Sequence, residues 1–234
     1  METATIPMRW GFPIVTATNV YEVLQTLGIQ QKLVTNIQPL ETLNPEELLP
    51  NQRKQLAYAP KIEVVTLDGG SDLWCRTRAK NWACTFILLR APEESYVLLT
   101  GEFKHGFEQV SLTPPAGIPE KGESMADCAL RETQQETGVQ LTSVTPLSSP
   151  NGLGLSGRKS TERFFPFLGT PAYGPNDEPI ITSMHLDSNE QLQPVLMPLA
   201  EYWIFLANSY DNEAGGRDTG YAALRELGLL TFTG

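Results

Sequence analysis

The first helical periodicity in the chain places Val20, Val23, Leu24 and Leu27 on one side of a segment that runs from Asn19 to Gly28, so a short amphipathic helix stopped by glycine is expected. Asn44-Pro45-Glu46-Glu47 offers an N-cap followed by proline at the first helical position, and predicts a brief helix that ends before Pro50. From Ile62 the pattern shortens. Ile62–Leu67 reads as a strand, Asp68-Gly69-Gly70 as a turn, and Leu73–Ala79 as the hairpin partner. Ala83–Leu89 is a continuous apolar run, expected as a buried strand, and the turn Pro92–Ser95 leads into a further strand at Tyr96–Thr100. Ser124–Thr137 is helical in pattern, with Ala126, Ala129, Leu130 and Thr133 on its packing side and Gly138 placed as a left-handed stop. Arg163–Leu168 reads as a strand. Pro166 cannot donate to a ladder, which places that strand near an edge or a bulge. Residues 169–190 are rich in Pro, Gly, Asn and Asp and are expected to form a mobile surface loop. Leu199–Ala207 is an apolar helix, and Asp218-Thr219 is expected to cap a last one through Ala222, Leu224 and Leu227.

Composition narrows the function classes. The 234 residues are enough for one large domain, or one domain with a smaller attachment. Lys and Arg total 17 against 27 Asp and Glu, a formal charge of −10, which argues against nucleic acid or an anionic membrane as a bulk partner. One small anionic ligand, brought in through a metal, stays compatible with that charge. The three cysteines (Cys75, Cys84, Cys128) are neither a disulfide framework nor, with only His105 and His185, a zinc site. Cys128 reads as a buried small hydrophobe. The chain starts without a basic, apolar leader and has no run of about 18 apolar residues, so a cytoplasmic setting is expected.

The helix ending at Gly138 breaks two local rules at once. Glu132 and Glu136 are four apart and share a face, with Gln135 beside them. Both also sit near the end of the helix where the dipole disfavours carboxylates. A divalent cation reverses the sign of both penalties, and oxygen ligands on one helical face suit Mg²⁺ or Mn²⁺. A solvated acidic face is the plainer reading of a lone glutamate pair.

The spacing of the segment adds weight to the metal reading. Gly117, Glu123, Arg131, Glu132, Glu136, Gly138 and Val139 fall on the pattern G-x5-E-x7-R-E-U-x-E-E-x-G-U, where U is a bulky aliphatic residue, and on these residues the chain resembles the Nudix hydrolases. Two positions depart. Thr133 replaces an aliphatic residue, and Gln135 replaces the first glutamate of the E-E pair, keeping an acceptor oxygen but no charge. Outside the box, Thr113-Pro114-Pro115-Ala116-Gly117, the segment ending Gly101-Glu102-Phe103-Lys104, Ser149–Gly152, Glu162–Phe165 and Glu190–Pro198 resemble segments of the ADP-ribose and ADP-sugar pyrophosphatase branch.

The resemblance implies an α/β/α sandwich with a mixed central sheet and the box as a loop–helix–loop. It divides the chain into an N-terminal extension (1–54), a small N-terminal β segment (55–80) and a Nudix domain (81–234), and that β segment suggests the branch's homodimer. It implies hydrolysis of a nucleoside diphosphate linked to a sugar, giving AMP and a sugar phosphate, with Mg²⁺ or Mn²⁺. Carried over position by position, the metal set is the Ala116 carbonyl, Glu132 and Glu136, with Gln135 a weakened contributor. Arg131 orients the carboxylates, with Glu123 as its partner. Glu190 is the best match for a general base, with Asp187, Glu178 and Asp177 as substitutes in the same loop. Lys104, Gly117 and Trp74 are the substrate-side candidates; for Trp74 and Trp82 a packing role competes with stacking on the base, and Glu162 is either metal support or a plain strand residue. Gln135, Thr113 and Lys104 also leave open a degenerate domain that binds a nucleotide or a protein without turnover, or a pyrophosphatase for GDP-mannose or NADH.

Overall fold

A computed structural model describes residues 5–32, 43–44, 46–56, 59–66, 73–104, 108–155, 159–186, 190–208 and 214–230. In chain order, the N-terminal elements are β1 (Met8–Arg9), β2 (Phe12–Pro13), α1 (Val20–Thr26), α2 (Pro50–Leu56), β3 (Lys61–Thr66) and β4 (Leu73–Arg78). The central ones are β5 (Trp82–Arg90), β6 (Ser95–Lys104), β7 (Gln109–Thr113), β8 (Ala116–Gly117) and α3 (Met125–Thr137). There follow β9 (Leu141–Pro146), β10 (Leu153–Gly154), β11 (Arg163–Pro171), β12 (Leu192–Pro198), α4 (Leu199–Ala207) and α5 (Ala214–Glu226).

An eight-stranded sheet carries the order β10-β11-β5-β6-β12, with β7 beside β6, β8 beside β5 and β9 beside β11. It is mixed: β11 runs parallel to β5, and the other pairs are antiparallel. The apolar run in β5 is explained by helices on both faces. Phe86 and Leu88 join Val97 and Leu99 of β6 and Val195 and Met197 of β12 in the core under α1, α4 and α5. Ile87, Leu89, Leu98, Leu196 and Val139 form a second cluster on the opposite face, where Ala83 and Phe167 also meet Cys128 and Ala129 of α3. The result is the α/β/α sandwich.

Four details differ from the sequence reading. The helix expected after Asn44 is only a turn at Glu46–Glu47, and α2 begins at Pro50, where that helix was to end, because proline is well placed in a first helical turn. Of the edge or bulge expected near Pro166, the edge is absent: β11 is interior, its pairing with β9 shifts register at Thr170–Pro171, and Pro166 lies where its neighbour on one side changes, β10 ending opposite Phe164 and β9 beginning opposite Phe167. Asp218 and Thr219 do not cap the last helix. α5 begins at Ala214, and the Thr219 hydroxyl instead donates to the Gly215 carbonyl at 2.7 Å. A side chain at Gly215 would overlap the Trp82 ring, so glycine lets this helix settle on β5. Residues 172–186, expected as a mobile loop, are fastened to the end of α3: Thr182 N–H donates to Gly138 O at 2.8 Å and His185 N–H to Gln135 O at 2.9 Å.

The N-terminal residues are worked into the sandwich. Val15, Ala17, Val20, Val23, Leu24 and Ile29 are buried in the α4–α5 side of the core, and Val15 N–H donates to Leu196 O at 2.8 Å. By contrast, β3 and β4 form a separate two-stranded ribbon on which Ile62 is 82% exposed and Val64 64%. Its base is tied to the body where Thr77 pairs with the 159–161 segment.

Candidate active site

The box begins where β8 is stitched to β5, with Ala83 opposite Gly117 and Cys84 opposite Ala116, and Thr85 N–H donating to Pro115 O at 2.9 Å. The chain then turns at Gly122 (φ 85°) into α3. Ser124 caps that helix: its Oγ accepts from Asp127 N–H at 3.1 Å and donates to the Asp127 carboxylate at 2.6 Å. Gly138, at φ 74°, closes it in the left-handed conformation that glycine adopts without strain.

Arg131 is the hub. Its Nε and Nη2 form a fork on Glu123 at 2.8 and 2.9 Å, Nη1 donates to Glu132 at 2.8 Å and to Gln135 Oε1 at 2.7 Å, and Nη2 also reaches the Ile118 carbonyl at 3.1 Å. All five guanidinium donors are engaged. The fork holds the Glu123 carboxyl below its ordinary range. Cys128 lies beneath, fully buried, its thiol donating to Gly117 O at 3.5 Å; burial pushes it up to about 12, which fits an inert packing residue.

The two box glutamates experience the opposite environment from Glu123. Glu132 packs so closely on Gly117 that a methyl group there would overlap its carboxylate. Burial raises its pKa, partly offset by Arg131, and the charge of Glu190 raises it further. Glu136 accepts from Ala116 N–H at 3.2 Å. Burial pushes it well above the ordinary carboxylate range, and the charges of Glu102 and Glu132 add to that, against Lys104. Glu102, which the motif reading did not single out, is held by Lys104 at 2.5 Å on β6. Its signal was present only as the polar end of an apolar strand.

The structure thus brings together Ala116, Gly117, Arg131, Glu132, Gln135 and Glu136, while Lys104 is paired with Glu102 on β6 and Glu190 is exposed just before β12. Asp177 and Glu178 belong to a tight turn closed by Gly174 N–H on Glu178 O at 2.8 Å. Asp187 and His105 lie outside the described residues, as does the side chain of Trp74, whose backbone sits opposite Val65 in the ribbon. Trp82 is a packing residue: it stacks on Phe164 with centroids 5.3 Å apart and donates to Glu162 at 3.0 Å, so each accounts for the other. Beside the box loop, a cleft of about 610 Å³ is lined by Arg78, Lys80, Lys121, Asn81, Ile118 and Met125, among others.

The donor set of backbone carbonyl and carboxylates matches a hard divalent cation. Half-buried acids of like charge, two of them raised, are the arrangement such a cation relieves. Among the described residues no three His, Cys, Asp or Glu side chains close into a finished metal cluster, since Glu132 is turned to Arg131 and Glu136 to the Ala116 amide.

No curated protein matches the chain. Among solved structures, one described as an ADP compounds hydrolase superposes with a TM-score of 0.54 at 20% identity, covering 73% of this chain and 97% of that one, which is a likeness of fold. The NUDIX domain family matches residues 80–217, which include the whole box, the strands that carry it and the Arg131 hub. With more than half of its length matched there, the chain belongs to the Nudix family.

Proposed function

We propose that this Nudix protein hydrolyses the pyrophosphate of ADP-ribose or an ADP-sugar, using Mg²⁺ or Mn²⁺ held by the Ala116 carbonyl, Glu132 and Glu136. Family membership supports pyrophosphate hydrolysis in general. The observation that carries the metal reading is the convergence of Glu132 and Glu136 on the Ala116–Gly117 strand with both carboxyls destabilised as anions. Support for an adenine nucleotide comes from the fold relative described as acting on ADP compounds. The cleft beside the box loop is lined by Lys80 and Lys121 with Glu120, and by Arg78, which is paired with Glu63, a small cationic excess in support of an anionic substrate.

The reaction is a balanced displacement. Water adds its oxygen to one phosphorus, the bridging P–O bond breaks, and the bridging oxygen leaves with the other phosphate, giving AMP and a sugar phosphate. A bound cation supplies charge neutralisation and lowers the pKa of water. Arg131 holds Glu132 and Glu123 in register. Glu190, exposed just before β12, takes the proton from the attacking water. Lys104 meets a phosphate oxygen as a point charge. Gly117 gives the backbone a close approach, and Trp74 stacks on the base. The bare ribbon of β3 and β4, with Ile62 and Val64 outward, supports a homodimer that covers it, since an isolated two-stranded ribbon is marginal in water.

A second reading, nucleotide binding without turnover, is favoured by one observation: Gln135 is neutral and its oxygen is spent on Arg131. One assay separates the two. The full chain is incubated with ADP-ribose, ADP-glucose, GDP-mannose and NADH, with Mg²⁺ or Mn²⁺, and nucleoside monophosphate is scored. Metal-dependent AMP release from ADP-ribose or ADP-glucose is expected. Binding of ADP-ribose with no product at high enzyme concentration overturns the hydrolase in favour of the second reading.

A further inference from the structure

Lys104, read above as meeting a substrate phosphate, is the last residue of β6, and the inference here rests on that reading. β12 pairs with β6 only from Tyr96 to Glu102, and β5 only from Ser95 to Val97. Beyond Glu102, Phe103 and Lys104 are paired with β7 alone, opposite Val110 and Gln109. The end of the strand that carries the lysine is thus a two-stranded hairpin, and such a hairpin by itself is marginal in water. It also holds Glu108 at φ 53°, in the left-handed region that a non-glycine residue occupies at a cost.

The N-terminal extension reaches this hairpin. α1 packs on β6 through Leu24, which fills the space a side chain at Gly101 would need. Gly28, at φ 92°, follows the helix, and Ile29 N–H donates to Leu24 O at 2.9 Å, which turns the chain back into the core, where Ile29 is buried. Two residues on, the carboxamide of Gln31 meets the outer edge of β7. Its Oε1 accepts from Val110 N–H at 3.1 Å, and its Nε2 donates to the Glu108 carbonyl. The two bonds flank Gln109, the residue opposite Lys104. A side-chain amide offers the same kinds of donor and acceptor as a peptide group, so Gln31 stands on the β7 edge where a neighbouring strand would stand.

We propose that Gln31 is a positioning residue for the substrate: it pins the β6–β7 hairpin and so holds Lys104 where a phosphate is met. Gln31 is exposed, and its bonds run to strand backbone, so it acts through the lysine. An ammonium meets a phosphate as a point charge whose pull depends on distance, so a strand end that frays weakens substrate binding and leaves the chemistry at Glu132 and Glu136 in place. The N-terminal extension thereby takes part in substrate recognition, although Gln31 lies outside residues 80–217, which the family matches.

The test is steady-state hydrolysis of ADP-ribose by the full chain, with Tm measured beside it. Gln31→Ala removes both bonds and is expected to raise KM about fivefold or more while kcat stays within about twofold. Gln31→Glu keeps the acceptor for Val110 but sets a charge against the Glu108 carbonyl, and should raise KM as well. Lys104→Met should raise KM by itself. Gln31→Ala added to it should change KM by less than about twofold, because the lysine that Gln31 places is gone. A wild-type KM in Gln31→Ala, a fall in kcat without a rise in KM, or the same effect of Gln31→Ala with and without Lys104 overturns the proposal; Gln31 would then only fasten the N-terminal residues to the sheet. A wild-type KM in Lys104→Met overturns instead the reading of that lysine at a phosphate, and a wild-type chain with no turnover overturns the hydrolase, each taking this inference with it.

Discussion

Arg131→Lys isolates geometry from charge at the hub of the site. The guanidinium spends five donors on Glu123, Glu132, Gln135 and the Ile118 carbonyl over 2.7 to 3.1 Å. An ammonium has three donors at one point, so at least two of these bonds are lost, and the fork on Glu123 cannot be reproduced. With Arg131 24% exposed and Glu123 14%, solvent replaces them poorly. At the lower end of about 1.5 kcal/mol for each bond to a charged group, the loss is about 3 kcal/mol. For a chain of this length that corresponds to a fall in Tm of about 6–12 °C. Thermal melts followed by circular dichroism at neutral pH in chelator, with Arg131→Met beside the lysine variant, read it directly. A fall of less than about 2 °C for the lysine variant would refute the claim that the fork organises the box.

Two further outcomes follow from the same site. Without metal, the raised carboxyls of Glu136 and Glu132 hold their protons more firmly folded than unfolded, so their stabilisation is full below the ordinary carboxylate value and lost as pH rises through their folded values. The difference in Tm between the wild type and Glu136→Gln, both in chelator, should therefore move against the wild type as pH climbs above about 4.5; a difference that does not change with pH contradicts the assignment. Glu123, lowered by Arg131, has the opposite sign: its contribution is present above the ordinary value and lost as pH drops through its folded value. Gly117→Ala drives a methyl group into the Glu132 carboxylate and should weaken Mn²⁺ binding about tenfold while leaving the fold intact, which calorimetry checks; wild-type affinity would mean that Glu132 is not a ligand.

The helix of the box was legible because its cap, its spaced acids and its terminal glycine are local signals, and the mixed sandwich came with the resemblance they carry. Glu102 was not legible: a lone glutamate at a strand end has no period of its own, and its pairing with Lys104 shows only in the fold. Pro166 marked an irregular ladder and not an edge, because a change of strand partner, which also spares a missing donor, leaves no trace of its own in sequence. The start of α5 was placed late, since Gly215 and Gly216 look like a loop until the Trp82 ring that requires one of them is in view. The core role of Val15 and Leu24 depends on partners far along the chain, such as Leu196 and Gly101.

That last feature bears on how the chain folds. Val15 is hydrogen-bonded to Leu196, and Leu24 rests on Gly101, so the segment translated early has its seat built from strands translated late. Such distant pairings slow folding, because the intervening loop must be closed before the contact gives anything back. During synthesis, Val15, Val20, Val23 and Leu24 are left as an apolar stretch until β12 emerges, and exposed apolar surface of that kind invites aggregation.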